Sequence, residues 1–121
     1  MKTSSAKAKG RRLQNQIKFA ILEHFINQLE EDDVKCAVMG ESGTDIKLSP
    51  KAKKLFPYSV ECKQVEKLNI WKALLQAEAN VKEGTSPLLI FGRNRIPEPY
   101  VALKLSDFMK LISSNLLDKS E

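Results

Sequence analysis

The chain has 121 residues, enough for one compact domain and too few for two ordinary ones. Its hydrophobic content of 42% predicts a buried core, and its net charge of +5, from 20 Lys and Arg against 15 Asp and Glu, favours a polyanionic partner without requiring one. Cys36, Cys62 and His24 are too few for a structural zinc site, no apolar run approaches a membrane span, and residues 2–12 lack the apolar core of a secretory signal, so the expected setting is cytoplasmic with both thiols reduced.

Residues 1–9 are small, polar and basic, and read as a mobile arm beside a domain that takes residues 10–117. A first helix is predicted over 10–29. On a 100° wheel Leu13, Ile17, Ala20, Ile21, Phe25 and Leu29 form one apolar sector, widened by Phe19, Leu22 and Ile26. Gln14 falls inside that sector, where a polar side chain needs a partner. Glu23 lies on the polar strip and reads as a surface residue, and His24 sits at the sector's edge.

After an acidic break at 30–33, residues 34–39 read as a strand. Gly40 and Gly43 supply a turn, and residues 45–48 form a second strand with Asp45 at its entry. Residues 49–57 carry Lys51, Lys53 and Lys54 between two prolines and are expected to be a basic loop. Residues 58–65 form a third strand, in which Val60 and Cys62 alternate with Glu61 and Lys63. Glu61 and Lys63 then leave one face roughly 7 Å apart along the strand, and Cys62 points the other way, into the core.

Asn69 is placed to cap a second helix running to about residue 82, with Ile70, Leu74, Ala77 and Val81 inside, Trp71 at the border and Gln76 on the polar side. The apolar run 88–91 suits a strand covered on both faces. Arg93 and Arg95 follow on a loop closed by Pro97 and Pro99, residues 100–105 form a fifth strand, and Ser106 caps a last helix to about residue 116. The expected class is α/β: helix, three strands, helix, strand, strand, helix, around a central mixed sheet.

Asp45 and Glu61 offer hard oxygen donors suited to Mg²⁺ or Mn²⁺, which bind substrate phosphate as well. Lys63 can steady an attacking water or the charge that builds on phosphorus. Glu-x-Lys is also an ordinary ion pair of solvated strands. Arg11, Arg12, Lys51, Lys53, Lys54, Arg93 and Arg95 suit phosphate contacts and are equally ordinary as solvated charges.

Asp45, then fifteen residues, then Glu61-Cys62-Lys63, with a helix before and another after, resembles the PD-(D/E)xK nuclease superfamily, which includes type II restriction enzymes and archaeal Holliday-junction resolvases. The chain is similar to small phage-type endonucleases across Gly10-Arg11-Arg12-Leu13-Gln14, Ser42-Gly43-x-Asp45, Leu48-Ser49-Pro50, Leu55-Phe56-Pro57 and Glu66-Lys67-Leu68-Asn69-Ile70-Trp71. The resemblance implies a restriction-endonuclease-like core and a magnesium-dependent endodeoxyribonuclease. Asp45, Glu61 and the backbone carbonyl of Cys62 would hold the ion, and Lys63 would act on water or phosphate. Ser42 matches a loop serine of the resolvases, and Gln76 a helix residue near the reacting phosphate. Gln14 stands where the resolvases carry a glutamate. Branched DNA and a homodimer in a phage or bacterial host cell are the implied substrate, assembly and setting. The uncharged Gln14 keeps open a second reading, a nucleic-acid-binding module without turnover, and a basic surface that ignores DNA would leave a protein–protein adaptor.

Overall fold

The first helix begins six residues earlier than its apolar pattern predicts. In the computed structural model, which describes residues 4–38 and 41–119, helix α1 spans Ser4–His24. Ala6, Lys7, Ala8 and Lys9 are strong helix formers, and they extend the helix where a mobile arm was expected. Residues 1–3 of that arm lie outside the described residues. At the other end α1 stops at His24, and residues 25–28 turn, with Gln28 and Leu29 both donating to the Phe25 carbonyl. The turn breaks the wheel, so the buried stripe narrows to Leu13, Ile17 and Ile21, with Leu29 buried from the turn and Ile26 71% exposed.

Strands β1 (Val34–Cys36) and β2 (Ile46–Leu48) form a short antiparallel hairpin in which Val34 pairs with Leu48 and Cys36 with Ile46. Both are shorter than expected. Ala37 still donates to the Asp45 carbonyl at 2.9 Å, but Val38 turns away to donate to the Glu41 carboxylate. Met39 and Gly40, expected in the strand and its turn, lie outside the described residues. Gly43 has φ +100°, which a side chain would strain.

The basic insert is a helix, α2 (Pro50–Leu55), where a loop was expected. The Ser49 hydroxyl accepts from Ala52 N–H at 3.1 Å and donates to Asp33 at 2.7 Å, and Pro50 fills a first-turn position that needs no amide proton. Ala52, fully buried, anchors the helix. The Glu30 amide and then the Ser49 hydroxyl hold the Asp33 carboxyl below its ordinary range.

Strand β3 (Tyr58–Gln64) runs parallel to β4 (Ser86–Gly92), and β5 (Tyr100–Ala102) pairs antiparallel with β4. Pro87 is tolerated because β5 reaches only Leu89–Phe91, so the proline has a neighbouring strand on one side alone. Between β3 and β4, helix α3 (Ile70–Ala79) is capped by Asn69, which accepts from Lys72 N–H at 3.1 Å, as the spacing predicts. Its buried face is Ala73 and the predicted Ala77, with Ile70 and Leu74 half-buried; Trp71 is 75% exposed, and Val81, expected inside, is exposed beyond the helix, which ends at Ala79. The two small residues let the helix settle close on β4. Helix α4 (Leu105–Lys119) closes the described chain, with Ser106 inside it instead of capping it.

The molecule is thus α/β, with a mixed three-stranded sheet β3–β4–β5 and a separate hairpin β1–β2 in place of one central sheet. The two meet at Asp45, whose N–H donates to the Val60 carbonyl at 3.0 Å. Leu13, Ile17 and Ile21 of α1 pack with Val34, Ile46, Val60, Leu88 and Ile90 in a single core. Leu89, completely buried, falls by alternation on the α3 side, and Glu61 is its partner across the ladder. Among the described residues no helix is long and apolar enough to cross a membrane.

Candidate active site

Asp45 sits where the hairpin parts from β3, and its carboxylate takes over from the backbone ladder. Asp45 Oδ2 accepts from Cys62 N–H at 2.7 Å, so backbone and side chain together pin this residue beside Glu61. Glu61 is only 4% exposed. Its Oε2 lies 3.8 Å from Lys63 Nζ, and its Oε1 is 3.4 Å from the Asn80 amide nitrogen. The alternation that predicted one face for Glu61 and Lys63 holds, but the face is covered where an exposed ion pair was the ordinary alternative. Burial first, and then the charge of Asp45, raise the Glu61 pKa above its ordinary value; Asn80 and Lys63 pull the other way. A carboxylate held in this way gains from any cation that approaches it.

Cys62 lies half-buried against the α1 core, as expected, and burial followed by the Asp45 and Glu61 charges pushes its thiol far upward. The thiol stays protonated, leaving the backbone carbonyl as the donor Cys62 can offer. Cys36 is also free, its thiol raised by burial and set 3.5 Å from Asn15 Oδ1.

The helix residues fare differently. Gln14 is half-buried on α1, which packs on the core face of β3, opposite to Glu61 and Lys63. Gln76 is exposed on α3, and the residue that α3 delivers to Glu61 is Asn80, its C-cap, one turn further on. Sequence reading missed Asn80 because it lies beyond the periodic part of the helix; the residue type, common at helix ends, was the available signal. Ser42 is exposed beside Gly43.

The predicted basic residues fall into separate groups. Lys53 and Ser42 line a hollow of about 310 Å³ with Lys47 and Lys82, two lysines that sequence reading passed over. Arg12 lines another, about 240 Å³, with Lys9, Gln64 and Asn94, which places it beside the exposed Arg93–Arg95 loop. Arg95 takes a left-handed backbone (φ 69°), and Glu66 fixes the loop by accepting from Asn94 N–H at 2.7 Å. Arg11, Lys51 and Lys54 are exposed; Lys54 borders a groove of about 1050 Å³ between α1 and α4, remote in composition from the acids.

No family model matches the chain, nor does any curated protein or solved structure. What the site can do follows from its donors. Among the described residues no group of three or more His, Cys, Asp or Glu gathers as a metal cage. Two carboxylates and a carbonyl nonetheless suit an ion such as Mg²⁺, which keeps several waters and takes one or two carboxylates together with substrate phosphate. Asp45, Glu61 and the Cys62 carbonyl are the residues that would hold it, and the raised pKa of Glu61 marks where positive charge is wanted.

Proposed function

We propose that this chain is a metal-dependent DNA endonuclease of the PD-(D/E)xK type, built on a restriction-endonuclease-like core. The observation that carries the reading is a buried glutamate, its pKa raised by burial and by Asp45, with an ammonium at 3.8 Å on the same face of the strand. When bound, Mg²⁺ or Mn²⁺ would supply a Lewis acid for the phosphate and a more acidic water. Lys63 places the attacking water or offsets charge growing on the phosphate oxygens, and Asn80 orients Glu61 through its amide. Branched DNA is the preferred substrate, and a homodimer brings two such sites to two strands. The test is cleavage of labelled branched, linear and single-stranded DNA in magnesium. Wild type cuts, and Asp45→Asn and Glu61→Gln do not; equal rates in all three would remove the mechanism.

The neutral Gln14 and the absence of a third clustered acid among the described residues favour one competing reading, a nucleic-acid-binding module without turnover. Calorimetry with Mn²⁺ separates the two. Heat that disappears in Asp45→Asn belongs to the enzyme, whereas DNA binding with no metal heat belongs to the module.

A further inference from the structure

Next to the acid pair lies a basic hollow whose parts come from four separate stretches of chain. Lys47 extends from β2, Lys53 from α2, and Lys82 from the loop after α3, while Ser42 comes from the turn before Asp45. Its floor is Ser59, two residues before Glu61 and on the same face of β3, roughly 7 Å away along the strand.

The loop that carries Lys82 is built, not loose. The buried Ser59 hydroxyl accepts from Lys82 N–H at 2.9 Å and bonds the Thr85 hydroxyl, which donates in turn to the Lys82 carbonyl at 2.7 Å. Those hydroxyls are occupied in holding the loop on β3, so the lysines are the groups left for a ligand. Lys82 Nζ lies 3.6 Å from the point a Cβ on Gly43 would occupy, which brings its ammonium over the turn two residues ahead of Asp45. Glu41 pairs with Lys47. Among the described residues no carboxylate lies within ion-pair distance of Lys53 or Lys82, so the hollow holds three ammonium groups against one carboxylate.

With Glu41 offsetting Lys47, the hollow of about 310 Å³ keeps two ammonium groups in excess, a charge that an anionic ligand would offset. We infer that Lys82 and Lys53, flanked by the Glu41-paired Lys47, hold a backbone phosphate of the nucleic acid, the neighbour along the strand of the phosphate facing Asp45 and Glu61. The distance argues for this partner: adjacent phosphates of one strand lie roughly 7 Å apart through space, about the separation of Ser59 from Glu61 along β3. The inference rests on the nuclease reading and deepens it, since this phosphate contact sets the register of the cleaved strand.

The experiment is the salt dependence of DNA binding, measured between about 50 and 200 mM salt with calcium in place of magnesium. Lys82→Met and Lys53→Met each keep most of the aliphatic stem and remove a charge. Each is expected to lower the slope of log K against log salt by about 0.9 relative to wild type, and Lys82→Arg to restore it. Lys110→Met, on α4 and outside the hollow, serves as the control and should change the slope less. Circular dichroism confirms that each variant is folded. An unchanged slope in both Lys82→Met and Lys53→Met overturns the phosphate site while leaving the nuclease reading intact, because that reading is tested separately by the loss of magnesium-dependent cleavage in Asp45→Asn and Glu61→Gln. A wild-type protein that binds no DNA in this salt range removes both.

Discussion

Along β3, adjacent residues are equally hidden and chemically opposite. Val60 is 1% exposed and joins Leu13, Ile17 and Ile90, where it has nothing polar to satisfy. Glu61 is 4% exposed on the other face and carries a carboxylate near a second one. Burying a valine side chain stabilises the fold by about 1.5–3 kcal/mol. Burying a carboxylate works against it unless a partner compensates, and the partners present, Lys63 and Asn80, leave the pKa raised. One strand therefore holds the fold together on one face and carries a partly compensated charge on the other, and that second face is where chemistry is to be sought.

The two faces of β3 part most visibly in activity. Lys63→Met is expected to slow single-turnover cleavage by about 10²- to 10³-fold with little change in unfolding midpoint, because the side chain acts on the reaction and not on the core. Val60→Ala does the reverse. It should lower unfolding stability by about 2 kcal/mol in urea titration, with cleavage retained under conditions where the protein is folded.

A subtler test follows from the raised pKa of Glu61. The folded protein holds this proton more tightly than the unfolded chain, so the stability owed to residue 61 falls as pH rises from the ordinary value of 4.5 through the raised one. Glu61→Gln lacks that fall. The midpoint of the variant should move above wild type as pH rises across this window, by a few degrees, and then stay level; roughly 4 °C per kcal/mol is the scale for a domain of this size. Saturating magnesium should close the gap by binding wild type alone. A gap that is constant with pH would mean that Glu61 is not the strained group. Smallest of all, Cys62→Ala should leave cleavage within about twofold, since a thiol held protonated contributes packing, and the carbonyl is unchanged.

Much of the site was legible before the fold, and for a definite reason. Alternation along 58–64 placed Glu61 and Lys63 together, and the Asn69 cap marked the start of α3. What was missed had competing signals. Ser49-Pro50 is a helix start, yet three lysines between two prolines also read as a loop. The apolar wheel of α3 placed Ala77 inside with Ile70, Leu74 and Val81 but passed over Ala73, because close packing on β4 rewards small side chains that hydropathy underweights. Lys9 and its neighbours looked like a tail because polar, basic composition does not distinguish a solvated helix from a solvated coil.

Local sequence thus determined the elements, the alternation of β3 and the caps, all of which depend on residues a few positions apart. Only the folded chain decided that Asp45 would bond to Cys62, that Asn80 would meet Glu61, and that Lys47, Lys53 and Lys82 would share one hollow. Those contacts join residues 6 to 35 positions apart, and no periodic signal spans such separations. The strand register and the packing of helices on the sheet brought them together.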